Sequence, residues 1–197
     1  MAEKRVYRSV LRSKRMIRDA FLHLLDQKNF EQITISDIVK QADLNRSTFY
    51  AHYSSIGAVI DEIQTEWIRT SMEMIRSLSC KTILNDPVSC LNVIGKALAD
   101  FTKLSSQMNC GTNLTGYMEK YKQALVAEIF SRQEIPELVR NSPAFKSRLH
   151  FIIGGIMTAY QQWAMGKLDC SLEEVSMEIA VLIHPYFLEL LDAKPSK

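Results

Sequence analysis

The stretch Ile33-Thr34-Ile35-Ser36-Asp37-Ile38-Val39-Lys40-Gln41-Ala42-Asp43-Leu44-Asn45-Arg46-Ser47-Thr48-Phe49-Tyr50-Ala51-His52-Tyr53 decides how this chain reads. It describes two short helices joined by a tight turn. In the first, Thr34 stands where an N-cap hydroxyl accepts an otherwise unpaired backbone N–H, and Asp37 places an acid in the first turn. Ile35, Ile38, Val39 and Ala42 then recur at i, i+3, i+4 and i+7, one apolar face of a helix. Asn45 is a second N-cap. Behind it Phe49 and Tyr53 fall one turn apart and face inward, which leaves Arg46, Ser47, Thr48, Tyr50 and His52 outside. That is the layout of a helix-turn-helix whose second helix presents its first turn to the DNA major groove.

The segment from Ile33 to Tyr53 resembles the DNA-binding signature of the TetR family of bacterial transcriptional regulators, whose members carry a similar I-T-V-x-x-I-A-x-x-A-G-V-S-x-x-T-x-Y-x-H-F run. The specific part is the T-x-Y-x-H-F tail, matched by Thr48-Phe49-Tyr50-Ala51-His52-Tyr53. The resemblance is strong over roughly residues 10–60. It implies that Tyr50, His52 and Thr34 lie on backbone phosphates and that the last two helices pair two copies of the chain. It also implies an effector in the C-terminal domain that changes the separation of the two heads.

The chain departs from the pattern at three places. Asp43 replaces the usual turn glycine, and Asn29 stands where a glycine follows the first long helix. Both positions are expected at positive φ, which Asn and Asp tolerate best among non-glycine residues, at a cost of about 1 kcal/mol each. In Ser54-Ser55-Ile56-Gly57 the family often has S-K-E, so Ile56 takes the place of a phosphate-binding lysine.

The 197 residues suffice for one large or two small domains with a real core. No run approaches ~20 consecutive apolar residues and the first eleven residues are charged, so neither a membrane span nor a signal peptide is expected. A cytoplasmic protein with no membrane partner follows as the expectation. Cys80, Cys90, Cys110 and Cys170 are scattered and read as buried thiols. His23, His52, His150 and His184 lack a second ligand at i+4, so no metal and no cofactor is expected. Residues 1–60 hold ten Lys and Arg against six acids, a net of +4, while the remainder is net −2. Seven of those bases, against one acid, lie in the first 18 residues. Beside a helix-turn-helix such a run adds phosphate attraction or a minor-groove arm.

Apolar periodicity places an amphipathic helix over roughly residues 9–27, built on Ile17, Ala20, Phe21, Leu24 and Leu25, which completes a three-helix head. A long fourth helix follows over 57–78, with Val59, Ile60, Ile63, Trp67 and Ile68 inward. Asp86-Pro87 opens a fifth near 88–104, residues 105–115 read as a loop, and another helix covers 117–132. From 144 to 165 a broad apolar stripe surrounds Gly154-Gly155, a pair better explained by close approach of another helix than by helix propensity. Ser171 caps a last helix, with Glu173 and Glu174 in its first turn, an apolar face running to Tyr186 and Phe187, and a kink at Pro185. Two helices this apolar need burial on two sides, which favours a four-helix interface between two copies. Ile152, Ile156, Trp163, Ile179 and Ile183 are the expected interface residues.

These readings give an all-α chain: a helix-turn-helix head over 1–56, then a helical effector-binding and dimerisation domain over 57–197. No G-x-S-x-G, P-loop, G-x-G-x-x-G or H-E-x-x-H occurs, which argues against an enzyme. Met72, Met74, Met108, Met118 and Met157 are soft enough to line a ligand cavity, with Phe101, Tyr117, Tyr121 and Tyr160 as the expected contacts of an unidentified small-molecule effector. The expected function is a ligand-responsive repressor binding a palindromic double-stranded operator as a homodimer, through Thr34, Asn45, Arg46, Ser47, Thr48, Tyr50 and His52. Arg46 suits either a guanine edge or a phosphate. The alternative is an interaction module of the same fold that binds a protein partner, for which Asp43 and Ile56 speak.

Overall fold

The computed structural model describes residues 2–107 and 111–192, with side chains except at 2–7, 84, 111–115 and 187–192. Met108 and Cys110, and the side chain of Phe187, lie outside the described residues. Within the described residues the chain is all-α, with no strand. Its helices are α1 (Ala2–Leu25), α2 (Ile35–Gln41), α3 (Arg46–His52), α4 (Ile56–Arg76), α5 (Cys80–Asn85), α6 (Pro87–Gln107), α7 (Gly111–Ser131), α8 (Glu137–Asn141), α9 (Pro143–Ala164) and α10 (Leu172–Asp192). Two compact units divide them: one holds Met1–Glu66 with Ser105–Cys110, the other Trp67–Leu104 with Gly111–Lys197.

The first unit closes on Ile17, Phe21, Ile38, Phe49 and Val59, all fully buried. They come from α1, α2, α3 and the start of α4, the faces that the 3.6-residue periodicity singles out. Helix α1 starts at Ala2, a full two turns before the expected position near Ser9. The Lys and Arg residues of those turns are good helix formers, and no breaker precedes Ser9. Asn29 corrects an expectation. Its φ of −59° and ψ of 139° are ordinary, because it opens a short 3-10 turn, Phe30–Gln32, instead of closing a helix in the left-handed region.

In the second unit α5 was not legible as a helix. Ser79 makes it one, its hydroxyl accepting the Thr82 N–H at 3.0 Å. The expected loop over 105–115 is also corrected, since α6 runs to Gln107 and α7 begins at Gly111. Phe101, Leu104 and Ser105 are buried, so packing carries the helix through residues of low propensity. Ser142 caps α9 through the Phe145 N–H, and α10 runs on through Pro185. Among the described residues no other helix closes on Gly154 or Gly155: a Cβ built on either touches nothing within 4 Å. The close approach falls at Gly95 instead, where a Cβ would lie 2.5 Å from Leu172 and 2.6 Å from the Tyr160 ring.

Candidate nucleic-acid interface

Helix α2 starts in a reciprocal cap. Thr34 Oγ1 accepts the Asp37 N–H at 3.2 Å, while Asp37 Oδ2 accepts the Thr34 N–H at 2.8 Å and the Thr34 hydroxyl at 2.7 Å. Lys28 Nζ adds an ion pair to the same oxygen at 2.9 Å. Lys28 first, and then Thr34, hold the Asp37 carboxyl well below the ordinary carboxylate range.

The turn out of α2 explains why Asp43 can replace glycine. Asp43 sits at φ 52°, the Leu44 N–H reaches Val39 O at 2.9 Å, and the Asp43 N–H reaches Lys40 O at 3.3 Å. This is the Schellman arrangement, in which one left-handed residue satisfies the last carbonyls of a helix. Asp is among the few residues with a side chain that enter that region at modest cost.

Asn45 then organises the start of α3. Its Oδ1 accepts the Thr48 N–H at 2.7 Å, the Ser47 hydroxyl at 2.7 Å and the Thr48 hydroxyl at 2.8 Å. Phe49 is fully buried and Tyr53 nearly so, so the opposite face is fixed outward. Asn45, Arg46, Ser47 and Tyr50 are exposed, Tyr50 by 58%, and Thr48 and His52 are half-buried on the flanks. The Arg46 guanidinium reaches back over the turn to donate to Ser36 Oγ. Ser36 was not singled out from sequence, since nothing in the spacing links it to a residue ten positions on. Donors, acceptors and a cation thus share one exposed helix face, the side-chain set that base edges and phosphates require.

The far end of α3 is held from α1 and α4. Lys14 Nζ lies 2.8 Å from Glu62 and 5.4 Å from the Tyr53 ring centroid, and Arg18 lies 3.5 Å from Glu62. Burial, with Glu62 alongside, raises the Tyr53 phenol far above its ordinary value. Ile56, the first residue of α4, is half-buried and brings no cation, while Ser55 Oγ accepts the Ala58 N–H at 3.2 Å.

In the second unit the four expected effector contacts are all fully buried. Phe101 stacks on Tyr117 with centroids 3.6 Å apart, Tyr121 follows at 5.9 Å, and Tyr160 hydrogen-bonds Ser176 at 2.7 Å. Burial pushes the Tyr160 phenol up to about 12. Met72 and Met157 are buried with them, whereas Met74 is an exposed residue and leaves the set. Burial also raises the Cys80 and Cys90 thiols to about 11, so both stay protonated and unreactive near neutrality.

The expected interface residues divide. Ile156, Ile179 and Ile183 are buried inside their own chain, and Ile152 and Trp163 are half-buried, with Trp163 Nε1 donating to Cys170 O at 2.9 Å. The apolar side chains that α9 and α10 leave open are others: Phe151 is 81% exposed, Val181 70% and Leu182 69%. Helical periodicity shows that a helix is apolar on two sides, not which side its own chain covers.

Residues 17–63 match the family model described as bacterial regulatory proteins, tetR family. Over 107 residues, 54% of this chain, the sequence is 34% identical to an uncharacterised HTH-type transcriptional regulator, YxbF, of Bacillus subtilis (strain 168). That stretch is 27% of the relative, so the match spans about a quarter of its length. In fold the chain is similar to a TetR transcriptional regulator from Streptococcus agalactiae 2603V, with a TM-score of 0.58 and 16% identity over 92% of this chain and 98% of that one. It is also similar to the fatty acid degradation regulator FadR from Bacillus halodurans, with a TM-score of 0.52 and 18% identity over 94% and 97% of the two chains. At such identities the likeness is one of fold. The helix-turn-helix head that these residues build is similar to that of the TetR family of bacterial regulatory proteins.

Proposed function

We propose that this protein is a ligand-responsive repressor that binds a palindromic operator as a homodimer. One observation carries the DNA-binding part. Helix α3 buries Phe49 and turns Asn45, Arg46, Ser47 and Tyr50 outward, so its polar face is free for a major groove. Dimerisation is supported by the exposed Phe151, Val181 and Leu182, and by Gly154 and Gly155, which leave room for a second backbone that the chain itself does not supply. An effector among Phe101, Tyr117, Tyr121 and Tyr160 is supported by the Tyr117 hydroxyl, buried without a hydrogen-bond partner among the described residues.

The test is titration of the purified protein against fluorescent duplexes from its own promoter region, at two salt concentrations. Sequence-preferring, salt-dependent binding at a two-fold-symmetric site is the expected result. Binding with no preference, or none, rejects the operator reading in favour of a protein partner. Any ligand that stabilises the operator-free form must lower operator affinity by the linked factor, so thermal-shift hits are then added to the same titration.

A further inference from the structure

The Lys and Arg side chains described in α1 fall into two sets. Lys14 and Arg18 are both turned to Glu62, which offsets one of their two charges inside the head. Arg8, Arg12 and Arg15 climb a different side of the helix, and all three are exposed. Among the described residues Arg15 has only Asp19, 4.0 Å away, in a pair so open that water screens it. Arg8 and Arg12 meet no acid among the described residues. Among the described side chains of α1 the first fully buried one is Ile17, and about 22 Å of helix runs from Ala2 to it.

We propose that Arg8 and Arg12, with Arg15, bind the phosphate backbone of the duplex that α3 enters, which rests on the DNA-binding reading above. Like charges at i and i+4 repel one another, so the stripe costs stability unless a polyanion faces it. DNA presents one charge per ~1.7 Å of axis, and arginine forks match phosphate oxygens. The geometry selects the backbone over the minor groove. An inserted arm is an extended segment, whereas this one is helical from Ala2, and a helix ~10 Å across does not enter a groove ~6 Å wide.

The test compares two double variants of the full chain on an operator enriched from a randomised duplex pool. One is Arg8→Gln with Arg12→Gln. The other removes the same net charge at exposed lysines elsewhere, Lys81→Gln with Lys167→Gln. Glutamine keeps the helix propensity of arginine, so folding is not at stake. The log–log salt slope of the dimer–operator complex is expected to fall by roughly 3.6 in the first, about 0.9 for each phosphate lost with two lost per protomer, and to stay unchanged in the second. The loss should be the same for A·T and G·C flanks. An unaltered slope in the first variant overturns the proposal, as does an equal fall in both. A loss confined to A·T flanks overturns it in favour of a groove contact. If the wild type shows no salt-dependent binding, and Arg46→Ala and Tyr50→Phe therefore have nothing to lose, the DNA-binding reading has failed and takes this proposal with it.

Discussion

The Ser47 hydroxyl donates its proton to Asn45 Oδ1 across 2.7 Å. The direction of that bond is fixed by a third residue. The Thr48 N–H, a donor only, sits 2.7 Å from the same atom, so the atom is the amide oxygen, and any hydroxyl beside it must donate. Thr48 Oγ1 does so as well, at 2.8 Å. What Ser47 shows to solvent is therefore a pair of acceptors.

In a major groove such an acceptor matches the exocyclic amino group of adenine or cytosine and not a phosphate oxygen, which only accepts. Ser47→Ala is expected to weaken operator binding about fivefold per half-site, the worth of one neutral hydrogen bond near 1 kcal/mol. The effect should vanish when the contacted base is replaced by an analogue without its amino group. Fluorescence titrations over both proteins and both duplexes close the cycle. An equal loss on every duplex would mean that the hydroxyl leaves Asn45 and turns to the backbone.

The cap of α2 gives the head a pH dependence of known sign. Lys28 and Thr34 depress the Asp37 pKa, so the carboxylate contributes stability that is full above the unfolded value of ~3.9 and is lost as pH falls toward the folded value. Asp37→Asn should lower the melting temperature at pH 7, with the two curves converging as pH drops from about 4 toward 2. Thr34→Ala removes the N-cap itself, costing about 1 kcal/mol, and the part of that loss due to the neutral N–H bond should persist in acid. Thermal melts by circular dichroism at a series of pH values measure both.

The head was largely legible because its signals are local. Caps at Thr34 and Asn45 and the inward pair Phe49 and Tyr53 each sit within one helical turn of their partners. Asp43 and Asn29 show where locality ends. Both replace an expected glycine, yet only Asp43 has positive φ, because only there does the chain close a helix in a Schellman turn. The outward α3 residues could be named, but the Arg46 contact with Ser36 depends on how two helices cross. In the second unit Tyr160 could be expected inside, whereas Gly95 as the residue that admits it could not. Ile156 and Ile183 are covered by their own chain, which spacing did not report for the same reason, since coverage by the chain's own helices is a long-range property.

Arg132 ties the end of α4 to α7, and its removal should be costly. Its guanidinium donates to Leu78 O and Ile75 O, each at 2.6 Å, and lies 3.7 Å from the buried Glu128 carboxylate. Arg76, the other partner of Glu128, is largely exposed. Arg132→Met takes a donor from both carbonyls, leaving Ile75 O with the Leu78 N–H alone, and leaves a buried carboxylate held by one solvent-facing arginine, for an expected loss of about 3 kcal/mol. Adding Glu128→Leu should restore part of that loss, because the uncompensated charge disappears with it. Urea midpoints of the two variants read the difference directly. A double variant no more stable than the single one would place the cost in the two carbonyls alone.

The proposed dimer face makes a prediction that separates assembly from folding. Val181 and Phe151 are open to solvent in the single chain, so a charge there disturbs no packing and should cost the isolated chain within about 0.5 kcal/mol. If α9 and α10 meet a second copy through this face, Val181→Glu or Phe151→Glu buries unpaired charges across it. Because a two-fold interface presents each residue twice, a single substitution introduces two such charges. The expected product is a helical monomer in sedimentation, with a melting curve still cooperative and operator binding lost, since one head alone cannot span two half-sites. Ile183→Glu is the counter-case. Ile183 is 8% exposed within its own chain, so a charge there should unfold the protein instead of splitting it. A Val181→Glu protein that sediments as a dimer would move the interface away from α10, and the exposed Val181 and Leu182 would then need another explanation.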